Sequence, residues 1–377
     1  MVQERSHKRI VGFELLRLVA MLMVLMLHFI SQTGSLAIPG TELTPVRVLG
    51  GLVESFCIVA VDVYVLISGY FLSKASYRIE RPVKLLLQIL FYTILIPIVL
   101  HTAGLAVYGQ DAWTAAVYLL PVSMKHYWFV TAYVLMYLFS PLLNLALQKI
   151  TRQQLKITIL TLLFFTCFLK SVSPVQLLID NAGYDFCWFL MLYLIAAYLR
   201  EYGWARVNTA AKAGCLYLVC SLLTFALHIG LHLIHERTGG LAYYAAVPFH
   251  YNSLLCLLAA IGFFQLFRYL PLEKHMGRKG TRLILRLSPL TFGVYLIHSH
   301  VDIQNRWCGW LADIFGEVPQ NAPLGFLWRA VVGVFLAYII CLAIDAVRKF
   351  LFDRLAKTLS RTIFAKWCKL ADEAFHS

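Results

Sequence analysis

Runs of about 20 consecutive apolar residues recur along this chain, each long enough to carry a helix across ~30 Å of hydrocarbon. A backbone placed in lipid must satisfy its own polar groups, so such runs fold as helices. We read ten of them, at about 11–30, 50–73, 83–105, 127–147, 154–170, 184–200, 213–233, 247–268, 286–303 and 326–349. The expected fold is therefore all-α, a polytopic membrane protein with about ten transmembrane helices. Composition agrees. Hydrophobic residues make up 60% and charged residues 14% of the chain, where a soluble globule carries roughly 25% charged. Mean hydropathy is +0.73. The piece AWTAAVYLLPV within 106–126 is too short to span and reads as an interfacial or re-entrant segment.

The formal net charge is +14. In a membrane protein the placement of that charge matters more than its sum, and no nucleic-acid partner is expected. With the N-terminus placed in the cytoplasm, 26 of the 33 Lys and Arg fall in inner segments and six in outer ones. That asymmetry follows the positive-inside rule and puts both termini in the cytoplasm. The basic N-terminus (Arg5, Lys8, Arg9) before an apolar run has the look of a signal peptide. Its apolar run is too long and holds charges, so it reads as a retained first span. Residues 1–350 form one transmembrane domain, and 351–377 a basic amphipathic tail expected on the inner leaflet. The nine cysteines include no CxxC pair and mostly sit in apolar runs, so they read as small buried hydrophobes, and no metal site is expected.

The first span, FELLRLVAMLMVLMLHF (13–29), carries Glu14, Arg17 and His28 in otherwise apolar sequence. Eleven residues separate Arg17 from His28, so they lie about 20° apart around the helix and about 16 Å apart along it. Glu14 falls on the same stripe. Ionisable groups in a span are costly and usually face a bundle interior or a wet path. The plain alternative is an i,i+3 ion pair with Arg17 reaching the inner interface and His28 near the outer one.

The spacing of Arg17 and His28 in LRLVAMLMVLMLH resembles the first span of the acyltransferase-3 family of integral membrane O-acyltransferases. VDVYVLISGYFL (61–72) is similar to that family's second-span motif, HYWFVTAYVL (126–135) to its His-x-Trp-Phe segment, and SPLTFGVYLIHSH (288–300) to its late Tyr-Leu-x-His motif. The four fall in order and cover nearly the whole chain. There are departures: Glu14 stands where Asp is frequent, and Tyr64 and Leu66 replace the more usual aromatic pair. No C-terminal extracytoplasmic hydrolase-like domain of the kind some members carry is expected from this sequence. The resemblance implies transfer of an acyl group, usually acetyl, from acyl-coenzyme A to a hydroxyl of a surface sugar.

That chemistry needs a base for the hydroxyl, cations for the donor and a route across the bilayer. His28 suits the base, since imidazole titrates near neutral pH, and Arg17 suits a phosphate or the thioester carbonyl. Glu14 completes the catalytic stripe, which would line a channel for the pantetheine arm. Arg81 and Lys84, after the second span, are further candidates for acyl-coenzyme A binding, although positive-inside charge also accounts for them. The six cations of 268–286 carry the same two readings. Asp62 shares a face with Ser55 and Gly69 and could partner Arg17 or His28, or make a structural contact between helices. Ser68 beside Gly69 could serve close helix approach. His126, Trp128, Tyr295 and His298 are candidate acceptor or supporting residues, or part of an interfacial belt. His228, His232 and His235 have helical spacing but no supporting motif.

The expected protein is thus an acetyl-coenzyme A-dependent O-acyltransferase of a bacterial cell membrane. It would modify a cell-surface or exopolysaccharide glycan, with membrane lipid, acyl-coenzyme A and glycan as its partners. The alternative is a transporter or flippase for a lipid-linked glycan, which would also keep buried charges on a path.

Overall fold

The computed structural model describes residues 9–109, 111–124, 126–172, 181–359, 370 and 372–373. Among these there is no strand, and eight helical segments are long and apolar enough to cross a bilayer. The expected amphipathic tail lies mostly outside the described residues.

The first span is α1, Val11–Gln32. The second comes in two pieces, α2 (Pro45–Cys57) and α3 (Ala60–Leu72). Thr44 caps α2 by accepting from the Arg47 N–H, and Pro45 sits at the first position, where a missing N–H costs nothing. The third span is α4 (Glu80–Thr102), followed by the short α5 (Ala112–Leu119), capped by Asp111. It is followed by α6 (Trp128–Lys149), α7 (Arg152–Leu163) and α8 (Leu169–Val172), the last two joined by a π-turn at Phe164–Phe168. Next are α9 (Phe186–Tyr202), α10 (Ala210–Thr238), α11 (Ala242–Ala246) and α12 (Leu254–Tyr269). The chain closes with α13 (Leu272–His275), α14 (Gly277–Leu287), α15 (Thr291–His298), α16 (Trp307–Phe315) and α17 (Pro323–Leu359).

Two of the ten expected spans are not among those eight. The sixth, α9, has 17 residues. The ninth is broken: Ser288, Pro289 and Leu290 form a 3-10 turn between α14 and an α15 of only eight residues. Pro289 has no N–H to continue the ladder, which accounts for the interruption. The segment 106–126 does not span and contains α5, as its length implied.

The centre of the bundle is built on α1, α3, α9, α12 and α15, and it is tightly packed. Phe13, Leu16, Ala20 and Leu25 of α1 are fully buried, as are Leu66, Phe189, Phe264 and Val294 from the others. Around them α4, α6, α7 and α10 turn Leu, Ile, Val and Phe outward, where lipid is the natural solvent. Small residues set the closest contacts. A Cβ on Gly69 would sit 2.9 Å from Tyr193 Cα, and one on Gly262 2.7 Å from the Tyr217 nitrogen. A polar hub ties α17 to the rest. Asp345 accepts from Arg348 at 2.7 and 3.0 Å, from the Tyr92 hydroxyl at 2.7 Å and from Gln88 at 3.4 Å.

Candidate functional site

The Glu14 carboxylate is buried and occupied on both sides. Arg17 donates to one oxygen at 3.0 Å and the Ser288 hydroxyl to the other at 2.5 Å. Glu14 therefore clamps α1 to the break in the ninth span. Arg17 is half-buried, and its guanidinium lies 5.9 Å from the Phe71 ring centroid. The Tyr64 hydroxyl donates to the Arg17 carbonyl at 2.5 Å and the Tyr338 hydroxyl to the Leu18 carbonyl at 3.0 Å, which fixes α1 on two more sides.

Above Arg17 the same face of α1 opens on a cavity of about 340 Å³, lined by Met21, Val24, Leu27, His28 and Ser31. Tyr64 also lines it, so one residue touches both the Arg17 turn and the cavity. The mouth lies beside exposed Ser31, Ile38 and Pro39. His28 sits with its ring centroid 5.0 Å from that of His298. The two imidazoles differ in what they are free to do. His298 Nδ1 lies 2.7 Å from the Val294 carbonyl, which can only accept, so that nitrogen carries the proton. Its Nε2 then accepts from the Ser299 hydroxyl at 3.1 Å. His28 has no such ties, and its buried Nδ1 has no hydrogen-bond partner. His298 is bonded at both ring nitrogens, while His28 Nδ1 is unengaged.

Aromatic rings form the facing wall. Trp128 lies 4.5 Å from Tyr184 and 5.9 Å, nearly parallel, from Tyr251. Tyr295, Phe129 and Phe292 continue the surface. Such a wall offers flat apolar faces to a sugar ring or an acyl chain.

Other expected residues are placed elsewhere. Asp62 reaches neither Arg17 nor His28. It is fully buried and accepts from the Trp188 indole N–H at 2.9 Å. It faces α9, as Gly69 does two turns on, so the shared face joins two helices and does not extend the stripe on α1. Ser68 donates to the Tyr64 carbonyl at 2.9 Å within its own helix. His126 is drawn into a separate cluster. Its ring lies 4.5 Å from His300, which faces Asp302 at 3.4 Å, and Asp302 accepts from Tyr118 at 2.9 Å. Arg81 and Lys84 are exposed at the start of α4, where Lys84 pairs with Glu80, and α4 packs chiefly on α5 and α15. His228, His232 and His235 each contact a different backbone carbonyl, of Ala245, Thr41 and Gly240.

One acid of the cavity went unremarked in the sequence reading. Glu54, in the last turn of α2, is 8% exposed and lines the cavity with an unpartnered Oε2. His228 joins it there through a buried Nε2 that also lacks a partner. The signal for Glu54 was the one that flagged Asp62, an acid inside an apolar run.

Fold and site together define a multi-pass, all-helical membrane protein with a histidine-bearing aromatic cavity sunk into its core. Across residues 10–346 the chain matches the family model described as an acyltransferase domain. The chain belongs to the acyltransferase-3 family and is an acyltransferase of that family. No curated protein and no solved structure matches it.

Proposed function

We propose that this acyltransferase moves a short acyl group, acetyl first among them, from acyl-coenzyme A to a hydroxyl of a cell-surface or exopolysaccharide glycan. The observation that carries the reading is His28, an imidazole with an unengaged Nδ1 on the wall of an aromatic cavity. His28 accepts the proton of the acceptor hydroxyl as its oxygen attacks the thioester carbonyl. The new C–O bond forms, the C–S bond breaks, and the imidazolium returns its proton to the departing thiolate. A positioned base of this kind contributes roughly 10²–10⁴-fold. His298 holds the His28 ring in place, and its own lone pair is occupied by Ser299.

Arg17 holds the donor on the side of the bundle away from the cavity mouth, with Glu14 fixing the guanidinium. Arg81 and Lys84 supply further positive charge at the membrane surface. The glycan enters at Ser31 and Ile38 and lies against Trp128, Tyr184 and Tyr251. The distribution of Lys and Arg supports a bacterial cell-membrane orientation with both termini in the cytoplasm, which puts Arg17 on the side where acyl-coenzyme A is made.

Acetyl content of surface polysaccharide tests this, by proton NMR before and after mild base treatment. Cells carrying wild type, His28→Ala and no protein are compared at matched expression. Base-labile acetyl signals in wild type alone support the proposal. Equal acetylation in all three, with a change in polysaccharide amount, would return the transporter reading to first place.

A further inference from the structure

The cavity holds an acid that the reaction above does not use. Glu54 lines it, its Oε2 is buried, and no hydrogen bond reaches the carboxyl group. Among the described residues no Lys, Arg or His nitrogen pairs with it. His228 lines the same cavity. A Cβ on Gly51, one turn before Glu54 on α2, would lie 3.4 Å from the His228 ring. His228 Nδ1 faces the Ala245 carbonyl at 3.1 Å and so carries the proton, which leaves Nε2 as an unpartnered acceptor. Across the space stand Trp128, Tyr184 and Tyr251, with Tyr184 and Tyr251 4.7 Å apart.

This part of the cavity thus presents two unpartnered acceptors, Glu54 Oε2 and His228 Nε2, and a carboxyl without a counter-charge, among aromatic faces. Buried carboxylates are retained where something pairs with them, and aromatic faces attract cations. Resting on the acceptor side of the function proposed above, we infer that Glu54 and the Trp128–Tyr184–Tyr251 wall bind a protonated amine carried by the acceptor, with His228 Nε2 accepting one of its N–H groups. The acceptor class is then an amine-bearing glycan, a hydroxylated ring with a free amino group near the hydroxyl presented to His28.

The test is binding of p-nitrophenyl β-D-glucosaminide against p-nitrophenyl β-D-glucoside to the full-length protein in lipid nanodiscs, by equilibrium dialysis without acyl-coenzyme A. Wild type binds the amine probe roughly tenfold or more tightly, the effect of a charge-assisted hydrogen bond. Glu54→Gln brings the ratio near one, Glu54→Asp retains most of it, and His228→Phe weakens the amine probe several-fold. A ratio near one in wild type, or one unchanged in Glu54→Gln, overturns the inference. If Glu54→Gln is not monodisperse, the wild-type and Glu54→Asp ratios decide. Because no donor is present, failure of the transferase reading shows separately, as absence of coenzyme A release on any glycan. Equal release with amine-bearing and neutral glycans overturns this inference alone.

Discussion

At the scale of single residues, the difference between His28 and His298 lies in their hydrogen bonds. Both rings border the same space, 5.0 Å apart, yet His298 is bonded at both nitrogens. His28→Gln is therefore expected to lower turnover by roughly 10²-fold or more, with the protein's thermal stability little changed, as read by coenzyme A release and a thermal-shift scan. Ser299→Ala removes a donor from a buried nitrogen at a cost of about 1 kcal/mol. It should reduce turnover only several-fold, because the ring keeps its bond to Val294. Equal loss in the two variants would mean that His298 shares the role of base. At Glu14 the clamp predicts an asymmetry: Glu14→Ala frees Arg17 and orphans the Ser288 hydroxyl, whereas Glu14→Asp keeps the charge. The Michaelis constant for acyl-coenzyme A should rise in the first far more than in the second.

At the scale of elements, the glycine contacts are the most exposed to test. Gly69→Val places a branched side chain where even a Cβ meets the Tyr193 backbone at 2.9 Å. Overpacking of this kind costs typically about 1–3 kcal/mol, so a lowered melting temperature and a weakened α3–α9 contact are expected. Hydropathy made eight of the spans legible because length and apolarity are all that lipid demands of a helix. The break in the ninth was harder to see, since 289–297 is largely apolar and Pro289 was its only backbone mark. The stripe on α1 was legible because helical periodicity alone brings Arg17 and His28 to one face. The partner of Asp62 was not, because Trp188 lies 126 residues away and no local rule brings the two together. Glu54 was legible by the same cost argument as Asp62, but its role depends on which rings surround it, and that is a matter of packing.

At the scale of the whole molecule, the Asp345 hub joins α17, α4 and α15 through one buried carboxylate. A Cβ on Gly293 would collide with that side chain. Breaking a buried pair from one side leaves an uncompensated charge and costs about 3–5 kcal/mol. Arg348→Met should therefore destabilise the bundle strongly, and Asp345→Leu with Arg348→Met should recover much of the loss in the same thermal-shift assay. Orientation is checked by fusions. A fluorescent protein after residue 377 should fluoresce inside the cell, and alkaline phosphatase fused after Gly240 should be active outside. The depth of the cavity carries a further consequence. It descends along α1 to Met21, leaving 11–20 beneath it, about 15 Å of helix, against ~30 Å of hydrocarbon. The protein at that point is an insulator of half thickness, and a transmembrane voltage concentrates across it. Each elementary charge carried through that layer exchanges about 2.3 kcal/mol with the field per 100 mV, so if the acceptor's proton crosses it on its way from His28 to the donor thiolate, the rate of acyl transfer should follow the electrical state of the cell.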